Sequence, residues 1–395
     1  MKKGSHLRVA LLVSSALGYS RNVLRGIKSY AAPDRGWVCH YADPLVTPFE
    51  QVAAWEPAGV IASVVRPELV ESLARLGVPV VNVSSALADE SFPRVSVEHR
   101  ATGRIVARYF LDRGFSRFAY VGRAGRTYSA DREAGFSETV TAAGKRIATY
   151  QASSARADHR RWRSWSELDH GLREWIAELE RPVAVMSCDD WQGMQVAETC
   201  RHAGLRVPED VAIVGVDNDD LICDLSMPPL SSVAVPGERV GYEAAALLDR
   251  MLACGRAARP PRGKALPPIG VVTRRSSDVL PIEDAAVAAG VRFIRTNAHR
   301  PITVDELLRE VGISRRSLER RFRLILGRTP LEEVRHTRVE RARQLLAGTD
   351  LSMPAVARRS GFASAERLSV LFRKETGITP TGYRRQFRLH EHPDE

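Results

Sequence analysis

Along the first 280 or so residues, short runs of Val, Ile, Leu and Ala alternate with stretches in which apolar positions recur every three or four residues. The runs predict strands over Leu7–Val13, Gly59–Val65, Val78–Val83, Phe118–Val121, Val183–Ser187 and Val211–Val216. The periodic stretches predict helices over Ser20–Ala31, Pro67–Leu76, His99–Arg113, Asp131–Ala143, Leu168–Leu179, Trp191–Ala203 and Gly237–Ala253. Unbroken apolar strands separated by helices imply parallel sheets covered on both faces. A series this long predicts two lobes with a cleft between them. Arg256–Pro268, rich in Pro, Arg and Gly, reads as a loop, and Ile269–Thr273 as a last run returning to the sheet. Arg274–Asp278 then reads as the exit. From Asp284 onward only helical periodicity remains, which puts a boundary near residue 280. The expected fold class is α/β: a two-lobed domain with parallel sheets over 1–280, followed by an all-α domain over 285–390.

Composition narrows the field. Of 395 residues, 44% are hydrophobic and 27% charged, which fits a folded chain and not a disordered one. No apolar run approaches the roughly 20 residues of a membrane helix. The five cysteines are scattered, odd in number and form no C-x-x-C pair, so neither a disulfide framework nor a zinc site is expected. No metal and no cofactor is expected. The net charge is +11, but Ala285–Glu395 holds 22 Lys+Arg against 13 Asp+Glu, leaving the other 284 residues near neutrality. Only one of those 22 is lysine. A basic field confined to one end suggests a polyanionic partner.

That end carries two segments with helix-turn-helix spacing. In the first, Thr303–Leu308 leads through Val311-Gly312-Ile313 to Ser314–Phe322. Thr303 with Glu306 makes a capping box, Ser314 suits an N-cap, and Leu318 and Phe322 face inward. Arg315, Arg316, Glu319 and Arg320 then lie outward, available to a major groove. In the second, Met353–Ala357 leads through Ser360-Gly361-Phe362 to Ser364–Arg373. Leu368 and Phe372 repeat the inward pair, while Ala365, Glu366, Arg367, Ser369 and Arg373 become the candidate contacts. Both turns need glycine for a left-handed backbone. Between them Thr329-Pro330-Leu331-Glu332 opens a helix reaching about Leu346. Its length of about 25 Å, with flanking helices, could set two recognition helices roughly one DNA turn apart. Arginine serves both tasks there, guanine edges and phosphates. The alternative is a small bundle with a solvated basic face; two tandem motifs weigh against it.

Gly361-Phe362 … Leu368 … Phe372-Arg373-Lys374 … Gly377-Ile378-Thr379-Pro380 … Tyr383-Arg384 resembles the signature of the AraC/XylS family of transcription regulators, over the last hundred or so residues. The resemblance implies double-stranded promoter DNA as partner, with RNA polymerase expected beside it. It puts Arg316, Glu319 and Arg320, and Ala365, Glu366 and Arg367, at recognition-helix positions. One departure is Val370, where the family often carries a polar or basic residue. Glu319 could accept from cytosine N4 or orient a neighbouring arginine.

In open α/β sheets ligands bind beyond the C-terminal ends of strands. Val183–Ser187 leads there to Cys188-Asp189-Asp190-Trp191, Val211–Val216 to Asp217-Asn218, and Phe118–Val121 to a loop and Asp131-Arg132-Glu133. Tyr19 and Arg21 follow the first strand, and Asp43 ends a later one. Carboxylates and arginine satisfy sugar hydroxyls, and aromatic faces cover C–H patches. Asp189, Asp217, Asn218 and Arg132, with Tyr19 or Trp191 as platform, form a candidate sugar site. The alternatives are a helix N-cap aspartate or a surface arginine.

Leu205–Asn218 is similar to the strand-and-cleft signature of the LacI/periplasmic-binding-protein superfamily, which implies sugar contact for Asp217 and Arg132. LacI relatives put their DNA-binding helices before the first strand; here the DNA module stands at the other end. That order of parts, with Gly215–Leu221, Leu230–Ala234 and Arg274–Asp278, resembles the xylose-responsive branch of the AraC/XylS regulators over nearly the whole chain. The resemblance implies D-xylose as effector, a homodimer and activation of pentose catabolic genes; arabinose, ribose or another small polyol is the alternative. An enzyme is the competing class, yet there is no phosphate loop, nucleophile elbow or H-E-x-x-H. A transport-type binder is the third. Lys2 and Lys3 before Val9–Val13 imitate a secretion signal, but a buried strand gives the same pattern, and a DNA-binding end belongs in the cytoplasm.

Overall fold

A computed structural model describes residues 7–31, 36–88, 90–152, 170–254, 263–282 and 284–387. Lys2 and Lys3, the predicted helix start at Leu168, most of the predicted 256–268 loop and residues 388–390 lie outside the described residues.

The first lobe runs β1 (Leu7–Leu12), α1 (Gly18–Tyr30), β2 (Trp37–Ala42), α2 (Phe49–Ala54), β3 (Gly59–Ala62), α3 (Pro67–Leu76) and β4 (Val80–Asn82). Its four strands are parallel in the order β2-β1-β3-β4. The chain crosses through β5 (Val95–Val97) into the second lobe: α4 (His99–Leu111), β6 (Phe118–Arg123), α5 (Thr127–Ala142), β7 (Ile147–Ala152), α6 (His170–Glu178), β8 (Val183–Ser187), α7 (Asp190–His202), β9 (Val211–Asp217), α8 (Asp220–Leu225) and β10 (Ser231–Ala234). It returns in α9 (Gly237–Cys254), which lies along α1. A third crossing uses β11 (Lys264–Leu266), paired parallel with β5, and ends in β12 (Gly270–Val272). The second sheet has the order β12-β10-β9-β8-β6-β7.

Strands β3, β8 and most of β1 and β9 are buried residue by residue, because helices cover both faces of each sheet. One core lies under α2 and α3, with Leu12, Val60 and Leu73 fully shielded, and another under α6 and α7 around Ile176, Val185 and Ile213. A third runs without a break through both lobes, joining Ile27 and Ile61 to Phe136, Met186 and Val214.

One expectation is corrected. The second sheet is not wholly parallel: β12 runs antiparallel to β10. Arg274–Asp278, read as the exit, follows β12 and is tucked into the end of the sheet. Arg275–Ser277 forms a 3-10 turn in which Ser276 and Ser277 are fully buried. Ser276 accepts from Ser231 N at 2.8 Å and donates to Ile213 O at 2.7 Å, closing the end of the sheet.

The remaining helices are α10 (Ala285–Asn297), α11 (Val304–Val311), α12 (Arg315–Leu326), α13 (Pro330–Gly348), α14 (Met353–Arg359), α15 (Ala365–Thr376) and α16 (Pro380–Phe387). They form two small cores. Val291, Leu307, Leu318 and Phe322 make the first, and Ala342, Leu346, Leu368, Phe372 and Tyr383 the second. Helix α13 serves both, through Val334 and then Val339. This helical part is bonded to the α/β part. Asp112, just past α4, pairs with Arg328 at 2.5 Å and His336 at 2.9 Å. Tyr383 donates to the Ile269 carbonyl at 2.5 Å, and Gln344 to that of Val271 at 3.3 Å. Among the described residues, no helix is long and apolar enough to cross a membrane.

Candidate functional site

The two lobes meet at the C-terminal ends of their strands. Gly18 N and Arg21, at the start of α1, donate to the Asp219 carboxylate, each at 2.8 Å. Opposite, Tyr128 N donates to Ser85 O at 3.0 Å and Arg126 to Val65 O at 2.9 Å. Tyr19 reaches the Val83 carbonyl at 3.0 Å.

Inside this rim sits a chain of charges. Arg132, 4% exposed, donates one amino group to the Cys188 carbonyl and the other to Asp217 at 3.3 Å. Its Nε is buried without a hydrogen-bond partner. The Arg132 guanidinium lies 5.0 Å from the Tyr128 ring centre. Tyr128 donates to Asp189 at 3.3 Å, and Arg123 pairs with the same carboxylate at 3.3 Å. Asp189 also caps α7 by accepting from Gln192 N at 2.8 Å. Burial alone would raise the Asp189 carboxyl, but Arg123 and that amide outweigh it, so it stays ionised. Asp217 differs: burial, only partly offset by Arg132 and reinforced by Asp189, pushes it up to about 6. Burial likewise raises the Tyr19 phenol, which remains a donor.

The backbone at Asp217 and Asn218 has φ of +109° and +50°, a region that side-chain-bearing residues rarely occupy. Such strain persists only where neighbours enforce it. Here Asp190, 2% exposed, accepts from Asp219 N at 2.8 Å and from Ser232 at 2.5 Å, while Ser232 Oγ takes Asn218 N at 3.0 Å. Burial and the neighbouring Asp217 hold the Asp190 carboxyl well above its ordinary range. The turn is therefore pinned from behind and its two side chains project from the strand end.

The structure thus gathers Arg132, Asp217, Asp189 and Tyr19. Asn218 is bound to Arg274, which donates to its side-chain oxygen at 3.0 Å. Trp191 is half-buried at the start of α7. Arg123, Tyr128 and His99 escaped the sequence reading. Arg123 ends β6, so the signal that singles out Asp217, a polar residue closing an apolar strand, was present there too. His99 opens α4 with its ring 6.1 Å from that of Tyr128 and its Nδ1 buried without a hydrogen-bond partner. Burial, with Arg132 and Arg94 nearby, drives its pKa well below 6.5, so the imidazole is neutral. No group of metal-ligating side chains occurs among the described residues.

In the helical part both motifs are built as their residues dictate. Thr303/Glu306 and Thr329/Glu332 form complete capping boxes, and Ser314 and Ser364 cap α12 and α15. Gly312 and Gly361 have φ of +68° and +85°. Arg316, Arg320, Glu366, Arg367 and Arg373 are exposed; Ala365 and Ser369 are half-buried. Arg315 donates to Glu319 at 2.9 Å, so in the free protein Glu319 orients an arginine.

A family profile described as a periplasmic binding protein-like domain matches residues 107–277, one described as an XylR N-terminal domain matches 8–103, and a helix-turn-helix domain profile matches 307–386. The chain is 30% identical over 385 residues to the xylose operon regulatory protein of Escherichia coli strain K12, covering 95% of this chain and 96% of that one. The chain belongs to the xylose operon regulatory protein family. The regulator also superposes, with a TM-score of 0.60 and 29% identity, on the solved structure of the xylose-binding transcription activator xylR, covering 98% and 99% of the two chains. A complex of the transcriptional regulator CelR with cellobiose matches at TM-score 0.56 and 22% identity over 68% and 84%, and shares the fold. The regulator is therefore a transcription regulator with a periplasmic-binding-type domain ahead of a helix-turn-helix domain.

Proposed function

We propose that the regulator binds D-xylose between its lobes and activates pentose catabolic genes as a cytoplasmic homodimer that contacts RNA polymerase. Residues 1–280 form the effector and dimerisation part and 285–390 the DNA-binding part. Asp217, Asp189, Arg132, Tyr19 and His99 hold the sugar hydroxyls. Asn218 and Trp191 complete the set, and the aromatic rings cover the C–H faces. The observation that carries this reading is the pairing of buried Arg132 with half-buried Asp217 at a strained turn, with Arg132 Nε and His99 Nδ1 still to be satisfied. A ring of hydroxyls meets those needs. Ligand binding shifts the lobe angle only as far as it favours one form over the other.

We read the cleft as a binding site: each of its aspartates is engaged by an arginine, a hydroxyl or a backbone amide, so its polar groups are arranged for hydrogen bonding to hydroxyls. A thermal-shift panel of pentoses and hexoses tests the proposal, since a ligand of the native state raises its melting temperature. D-xylose should give the largest shift, and Asp217→Ala should remove it while basal DNA affinity stays near normal. A variant that still responds to ordinary xylose concentrations would sink the assignment.

A further inference from the structure

The two recognition helices share a plan and differ at its centre. In α12 the inward pair is Leu318 and Phe322, 1% and 0% exposed; in α15 it is Leu368 and Phe372, both 0%. At about 100° per residue, the position midway between each pair points directly away from the core. That position is Arg320 in α12 and Val370 in α15. Val370 is 72% exposed. One turn before it lie Glu366 and Arg367, and one turn after it Arg373 and Lys374, all exposed. An apolar side chain thus tops a cationic face.

Neither folding nor helix formation accounts for it. A valine left in water forfeits the gain from burial, and a β-branched residue is a poorer helix former than Arg, Lys or Gln. The flanking cations mark the face as one that meets phosphate. In the major groove, the feature that rewards an apolar contact is the C5 methyl of thymine.

We infer that Val370 reads a thymine methyl, while Arg320 at the equivalent place in the first motif reads the O6/N7 edge of guanine. This rests on the DNA-binding reading above. The consequence is an operator whose two adjacent grooves differ in kind, one keyed by guanine and the other by a methyl group.

The test uses the full chain. Randomised duplexes are selected for binding, and each thymine of the selected site is then replaced singly by deoxyuridine, which removes only the methyl. For the wild type, one thymine in the groove away from the Arg320-dependent guanine should matter, with binding about fourfold weaker on replacement. In Val370→Ala that one replacement should lose its effect while all others keep theirs. In Val370→Arg the selected base there should change to guanine. Unchanged deoxyuridine sensitivity in Val370→Ala would overturn the inference and leave the DNA-binding reading standing. Failure of the wild type to select any sequence would overturn both.

Discussion

Replacing Asp112 with asparagine should loosen the joint between the α/β part and the helical part. Asp112, just past α4, takes Arg328 at 2.5 Å and His336 at 2.9 Å. Burial would raise its carboxyl, but the hydrogen bonds from His336 and Arg328 and their charges pull it down to about 2. A drop of nearly two units from the ordinary value corresponds to roughly 2 kcal/mol. The side chain is 23% exposed, so solvent screens only part of this. Arg328 keeps a second partner, Glu333, at 2.5 Å. The variant therefore loses both pairs, but Arg328 keeps Glu333 and His336 can shed its proton, so the larger penalty of an orphaned ion does not apply.

Equilibrium urea denaturation of wild type, Asp112→Asn, Arg328→Gln and the double variant at pH 7 should give a coupling energy of about 1–2 kcal/mol. The pH dependence has two edges. The Asp112 contribution is complete above the unfolded value near 4 and fades as pH falls through about 2. Burial lowers and Asp112 raises His336, with a net rise, so its contribution is complete below about 6.5 and fades as pH climbs through the folded value. Single variants that add within about 0.3–0.5 kcal/mol would refute the coupling.

Arg320→Ala should weaken specific binding by about 1–3 kcal/mol and binding to random DNA far less, measured by competition at fixed salt; equal losses would reduce Arg320 to a phosphate contact. Gly361→Ala should cost more than about 3 kcal/mol and abolish site-specific binding, because its Cβ would stand 1.9 Å from the Ala298 carbonyl oxygen at a φ of +85°. Gly312→Ala, at φ +68° with nothing within 4 Å, should cost only about 1–2 kcal/mol; thermal melts that fail to rank the two this way would count against the turn geometry. Effector affinity, measured by calorimetry, should fall as pH drops through about 6, where Asp217 gains its proton. In the free protein the same titration runs the other way: the raised carboxyl favours folding below its unfolded value, and that share is lost as pH rises through about 6.

How much of this could be read from the chain depended on where each element lies. Central strands such as Val183–Ser187 are sandwiched, so their apolar runs are unbroken and their ends sharp. Of the edge strands, Trp37–Ala42 was read only through its end at Asp43 and Ile147–Ala152 went unseen, because partial exposure dilutes their hydrophobicity. So did the three- and four-residue β5, β10 and β11, too short to show a period. In the cleft, Asp189 and Asp217 were legible as polar residues at or just beyond strand ends, and Arg132 as a charge on the helix that follows β6. The gathering of Arg123 and Tyr128 on Asp189, with His99 beside Tyr128, was not, since it joins β6, α4 and the start of α7 by packing. The strain at Asp217 has no local signature either, as it is imposed by Asp190 at the start of α7 and Ser232 on β10.

The bond from the Tyr383 hydroxyl to the Ile269 carbonyl bears on any attempt to exchange reading heads between relatives. A graft joined at the first wholly helical residue would leave that phenol facing a foreign main chain, and Gln344 would lose Val271 as well. Chimeras should carry the segment from Ile269 onward with its native tail, so that the transplanted module arrives with its own seat.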